Sequence, residues 1–211
     1  MVPCSQDGVR AARSSGYSVP EMMLTLLMLG ILVGSGFAVW RSTRSRVDVA
    51  SAATLLRMTV LQARMQSIYS GVAHFVAIDT NAHSIQVFSD DGTTAGVLDS
   101  GDRQVSAARL ASTVGLVMPD DPPSLGSPYG TGTLAAAWPL PAPSGGAWSG
   151  RKGMAITTTG LIETVEATPA LVDDAVIVFS DGSSRTSAVG IRGRMGEIRA
   201  FEYSEGAWKE R

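Results

Sequence analysis

Gly16-Tyr17-Ser18-Val19-Pro20-Glu21 stands directly before Met22–Trp40, MMLTLLMLGILVGSGFAVW, a run without one charged residue. A helix needs about 20 apolar residues, each rising ~1.5 Å, to cross the hydrocarbon of a bilayer. Met22–Trp40 has that length and composition and reads as a membrane-spanning helix. Trp40 followed by Arg41 suits the boundary where hydrocarbon gives way to water. Gly30, Gly34 and Gly36 weaken a helix in water, yet in membrane helices glycine lets neighbouring backbones approach. A lone carboxylate at the lip of such a helix is costly, roughly 2.5–3.5 kcal/mol at the bilayer centre and less toward the interface. Glu21 therefore calls for a partner.

Downstream, Arg41–Ser70 contains neither glycine nor proline, so the helix is expected to continue out of the membrane. Val47, Met58, Leu61, Met65 and Ile68 fall on one side of it, diluted by Ser51 and Thr54, while Arg57, Gln62 and Arg64 lie elsewhere. The spacing predicts an amphipathic half-helix whose apolar stripe packs on a folded domain. Gly71 ends it. A single helix from Pro20 to Ser70 would be about 75 Å long at ~1.5 Å per residue, longer than one globular domain needs.

After Gly71 the period changes to two. Strands are expected at 72–80, 83–89, 154–159, 161–165, 175–180, 185–191 and 197–203, with one strand or a pair within 103–118. Turns fall at Thr80-Asn81-Ala82, Gly160 and Asp181-Gly182. Residues 119–153 hold seven of the ten prolines and read as a long surface loop. The fold class is therefore α+β: a long N-terminal helix, membrane half plus amphipathic half, packed on an antiparallel β-sheet head. The divisions are 1–16, 17–40, 41–71 and 72–211.

Composition narrows the function. Charged residues are 17% of 211, and the net charge of −2 speaks against a generally basic nucleic-acid binder. Cys4 is the single cysteine, so no disulfide or Cys-based zinc site is expected. His74 and His83 lack a His-x-x-x-His partner pattern. The acidic turns at Asp90-Asp91-Gly92, Asp99–Asp102 and Asp120-Asp121 lack the calcium-loop spacing that ends in glutamate. No Gly-x-Ser-x-Gly signature supports a catalytic serine. No catalytic residue, metal or cofactor is expected.

The stretch Gly16-Tyr17-Ser18-Val19-Pro20-Glu21 resembles the class III signal of type IV pilins and pseudopilins. That resemblance implies cleavage after Gly16 by prepilin peptidase on the cytoplasmic side, and N-methylation of the new terminal residue, Tyr17. Glu21 becomes the fifth residue of the mature chain, the position the family reserves for glutamate. Its counter-charge is the amine freed at Tyr17 of a neighbouring subunit, so that subunits associate in a register set by the pair. Leu55–Arg64 with Ser67-Ile68 and Gly71-Val72, together with Gly196–Phe201 and Gly206-Ala207-Trp208, resembles the FimT and type II secretion pseudopilin H group. The implied partners are other pilin or pseudopilin subunits, prepilin peptidase and the bacterial inner membrane. The implied role is a minor subunit that helps initiate or cap a type IV pilus or secretion pseudopilus, with a periplasmic head.

Two alternatives arise from the residues. Some FimT-like proteins bind DNA through a Gly-Arg-x-Arg motif. Here Gly196-Glu197-Ile198-Arg199 stands in that place, and Arg192, Arg194 and Arg199 would form the basic edge. A charge-blunted strand edge is the plainer reading, because Glu197, Glu202, Glu205 and Glu210 lie close by in sequence. A Sec-exported or anchored periplasmic protein, cut near Gly36-Phe37-Ala38, is the other alternative, and it leaves Glu21 unexplained. The positive-inside rule, applied to Arg41, Arg44 and Arg46 against Arg10 and Arg13, favours the opposite orientation. The cleavage motif requires a cytoplasmic leader and overrules it.

Overall fold

The computed structural model describes residues 17–79, 81–92, 96, 98–99, 101–117, 151–163, 165, 175–182, 186–192, 194, 196–204 and 206–211. The chain divides into two compact units, Met1–Ser42 and Thr43–Arg211. One helix, α1 (Val19–Ser70), contributes to both.

The Ser18 carbonyl accepts the first helical amide, that of Met22, at 3.1 Å. Ser18 thus stands at the N-cap and Glu21 in the first turn, where an acid suits the helix dipole. None of the apolar window of α1 is buried. Thr25 and Ser35 donate their hydroxyls to the carbonyls of Met22 and Leu32. No polar group of theirs then needs water, as a hydrocarbon environment demands. At the other end Gly71, at φ +70°, terminates the helix as expected.

Among the described residues of the second unit ten strands form two antiparallel sheets. They are β1 (His74–Asp79), β2 (Ser84–Ser89), β3 (Arg103–Arg109), β4 (Gly115–Val117), β5 (Arg151–Ile156), β6 (Ile162–Glu163), β7 (Ala175–Ser180), β8 (Thr186–Arg192), β9 (Glu197–Ser204) and β10 (Ala207–Glu210). One sheet has the order β3-β2-β1-β5-β6 and the other β10-β9-β8-β7-β4. The expected 103–118 region is a pair, but its members go to different sheets. The expected loop at 119–153 ends earlier than anticipated, because Arg151–Gly153 pair with Ala77–Asp79 of β1. The remainder of that loop, 119–150, lies outside the described residues.

Alternation along β1 explains two cores. Val76 and Ile78 join the main cluster with Leu56 and Val60 of the helix and residues of both sheets. Phe75 and Ala77 point the other way, into a smaller cluster with Phe88, Leu98, Ala155 and Val165. Sheet residues buried on both faces read as continuous apolar runs rather than strict alternation.

The helix face is a correction. Val47, Met58 and Met65 face away from the core and are 58%, 61% and 73% exposed, and Ile68, 54% exposed, meets the head only beside Gly160. Leu61 of the same stripe is partly buried and packs against the main cluster. The buried face is instead built from Val49, Ala52, Ala53, Leu56, Val60, Ala63 and Ser67. The period is that of a helix in both cases, but the face is the opposite one. Small side chains let the helix come close enough for Leu56 and Val60 to enter the core, where contact density decides. Ser67 is fully buried, and its hydroxyl lies 2.8 Å from the carbonyls of Val72 and Thr157. It ties the end of the helix to the strands.

Arg57 and Arg64, expected off the packing face, are also corrected. Their guanidinium groups bond the carbonyls of Ile198 and Gly196 at 3.1 and 2.8 Å, holding the helix against β9. Arg64 fills the space beside two glycines. A Cβ at Gly196, which sits at φ +62°, would run into its guanidinium, and one at Gly160 would come within 2.7 Å of Ile68 Cδ1. Gly196→Ala is expected to lower stability by about 1–3 kcal/mol through the left-handed backbone and the displaced arginine. Chemical denaturation of the full chain in detergent measures it. In the Arg64→Ala background the added cost should be smaller, because the clash is gone.

Candidate assembly surface

The candidate residues at the N-terminal end of α1 lie on its uncovered half. Tyr17 precedes α1 and is 76% exposed, and Glu21 is exposed in the first turn. Gly16 lies outside the described residues. Among the described residues of Val19–Trp40, Glu21 is the one ionisable group, next to side chains that the rest of the chain leaves uncovered. Such an arrangement can do one thing chemically: set a carboxylate in an apolar surface where an arriving cation would be attracted strongly.

Beyond Trp40, Arg44 and Arg46 are engaged. Arg44 lies 3.9 Å from Asp48, and Arg46 Nε bonds Glu202 of β9 at 2.7 Å. Ser45 donates to the carboxylate of Asp181, at the turn after β7.

The arginine edge considered for DNA is interleaved with acids. Arg192, opposite Glu197 in the β8–β9 ladder, lies 3.6 Å from its carboxylate. Arg199 pairs with the same Glu197 and, at 2.8 Å, with Glu210. Arg194 stands exposed in the β8–β9 connection. Phosphates bind where cations outnumber nearby acids, and here Glu197 and Glu210 occupy Arg192 and Arg199. The glycine of Gly196-Glu197-Ile198-Arg199 has a local reason of its own, the close approach of Arg64.

The other residues singled out from sequence have structural uses. His74 Nδ1 donates to its neighbour's carbonyl, Val72, at 2.9 Å, and His83 Nδ1 lies 3.2 Å from the Val114 carbonyl. A shallow hollow of about 250 Å³ lies between Tyr69 and Arg103, with His74 and Val105 in its lining. Arg103 and Ser89 both bond Asp91 there.

The acidic turns do converge, but on backbone amides. Asp102 accepts from Gly92 and Asp99, Asp99 from Gly101, and Asp90 from Gly96. Burial raises the pKa of Asp102 above its ordinary 3.8, and the Asp99 and Asp90 charges add to that rise while the two amide bonds oppose it. The folded form thus holds this proton more tightly than the unfolded chain. Its contribution to stability is complete below 3.8 and is lost as pH rises through the raised folded value. Asp99→Asn is expected to bring the Asp102 midpoint down, as read from carboxyl carbon shifts across a pH titration.

The class of architecture is thus defined: an α+β protein in which one long N-terminal helix lies on two antiparallel sheets through its second half and carries an uncovered membrane-length first half. No protein-family model matches this chain, and no curated protein matches it. Among solved structures it is similar to the minor pseudopilin EpsH from the type 2 secretion system of Vibrio cholerae. That likeness has a TM-score of 0.43 at 12% identity over 74% of this chain and 97% of EpsH. A second structure of the minor pseudopilin EpsH gives 0.41 at 12% identity, over 74% and 94%.

Proposed function

We propose that this chain is a minor pilin or pseudopilin subunit, processed between Gly16 and Tyr17, N-methylated at Tyr17, and anchored in the inner membrane by Met22–Trp40 with its head in the periplasm. The observation that carries the reading is Glu21 in the first turn of a helix whose apolar window is 0% buried, directly behind a glycine–aromatic cleavage motif. Cleavage creates the amine that neutralises the acid, so the two features explain each other. Partners are then other pilin-type subunits and prepilin peptidase, and the role is to initiate or cap a filament.

Mass spectrometry of the mature N-terminus tests this most directly. A chain starting at methylated Tyr17 is expected. A start after Ala38 would instead mark a Sec-exported protein and end the proposal. A bulky residue at Gly16 should leave full-length precursor in the membrane, because the peptidase needs an unobstructed backbone there.

A further inference from the structure

We infer that the outer edge of β3 is a docking site for an extended segment of another protein, one with an acid opposite Arg109 and an apolar side chain near Val105. The segment would join the sheet as one more antiparallel strand, and nothing in this depends on processing at Gly16. β3 ends its sheet, in the order β3-β2-β1-β5-β6, and is seven residues long. The other terminal strands, β4, β6 and β10, have three, two and four residues. Among the described residues, β3 is thus the sheet end that offers a guest a ladder of ordinary strand length. The Leu110 amide bonds the His83 carbonyl at 2.7 Å, and Ala108 stands opposite Ile85. Backbone groups alternate in direction along an antiparallel strand, so Ala107 and Arg109 turn theirs away from β2. Both residues are exposed, and none of the described residues bonds that edge. An unpaired edge is a template for a further strand.

Charge and shape specify the occupant. Arg103 is neutralised by Asp91 at 3.2 Å, whereas Arg109 is exposed and has no acidic partner among the described residues. Opposite charges across a ladder attract and like charges repel, so the Arg109 end selects an acid. A second copy of β3 does not supply one, because Arg103-Gln104-Val105-Ser106-Ala107-Ala108-Arg109 contains no acid. Asp102, just before it, is taken up by the amides of Gly92 and Asp99. At the other end the register slips between Val87 and Phe88, which leaves Val105 without a partner on β2. Bulges re-aim side chains, and this one sets Val105, 37% exposed, in the wall of the hollow of about 250 Å³ beside Tyr69. Val72 and His74 line the same, largely apolar recess. In strand addition the backbone ladder supplies affinity and side-chain recesses supply selectivity, and this edge has both.

Amide hydrogen exchange of the full chain in detergent tests the edge. The probe is the capped peptide Thr-Glu-Thr-Val-Thr-Leu-Thr, whose Glu and Leu are spaced to reach Arg109 and Val105 in an antiparallel strand. At millimolar concentration it is expected to slow exchange of the Ala107 and Arg109 amides severalfold and to leave Ala108, already in the ladder, unchanged. Its counterpart with Lys in place of Glu should protect far less, and Arg109→Glu should reverse that preference. Ala107→Pro removes an amide that β2 does not use, as edge strands tolerate, and should abolish the protection of Arg109. Should the proline variant melt lower than the wild type, the Arg109→Glu reversal decides by itself. No protection of these amides by the acidic peptide, or equal protection by both peptides, overturns the proposal. Protection that grows with protein concentration in the absence of peptide assigns the edge to a second copy and overturns it as well.

Discussion

If the chain assembles as proposed, Glu21→Gln is expected to reduce incorporation into a filament sharply while leaving α1 and membrane insertion intact. Ser18 at the N-cap and Glu21 three residues on form the pattern of a capping box. Glutamine fulfils that local role as well as glutamate, so helix content by circular dichroism should not change. What glutamine lacks is charge. If the carboxylate neutralises the amine of a neighbouring Tyr17 in an apolar environment, its loss strands that amine at a cost of about 3–5 kcal/mol. Assembly should then fall by roughly two to three orders of magnitude, since each ~1.4 kcal/mol is tenfold. The measurement is the mutant's fraction in sheared filaments against its fraction in membranes. Wild-type incorporation of Glu21→Gln would assign the residue to helix capping alone.

Leu56→Ala is expected to destabilise the head by about 2–5 kcal/mol, the usual range for emptying a fully buried leucine site. Leu56 is 0% exposed, whereas Met58, two residues on, is 61% exposed. Met58→Ala and Met65→Ala should stay within about 0.5 kcal/mol, as surface substitutions do. Thermal melts of the full chain in detergent, followed by near-ultraviolet circular dichroism, compare them. A reversed order, with the methionines costly and Leu56 neutral, would restore the apolar stripe as the packing face.

Much of this was legible in the residues because it is local. An uncharged run of membrane length, the absence of glycine and proline from Arg41 to Ser70, and Gly71 at the end specify a helix by hydrogen bonding and backbone freedom alone. The β1–β2 hairpin was readable for the same reason: Asp79 accepts the amides of Asn81 and Ala82 and closes the turn from within its own segment. So was the place of Glu21, since a charge before a hydrocarbon-length run is anomalous wherever the chain goes.

Which side of α1 meets the head, and which strands join which sheet, only tertiary structure decided. Period shows that a helix has faces, but Ala52, Ala53 and Ala63 won over Met58 and Met65 because closeness of approach, not hydrophobicity, governs packing on a sheet. Arg57 and Arg64 read only as lying off the apolar stripe, yet the carbonyls of Ile198 and Gly196, more than a hundred residues away, accept from their guanidinium groups. Likewise β1 pairs with β5 across a long stretch of chain. Such contacts depend on the complementarity of surfaces distant in sequence, and no local pattern encodes them.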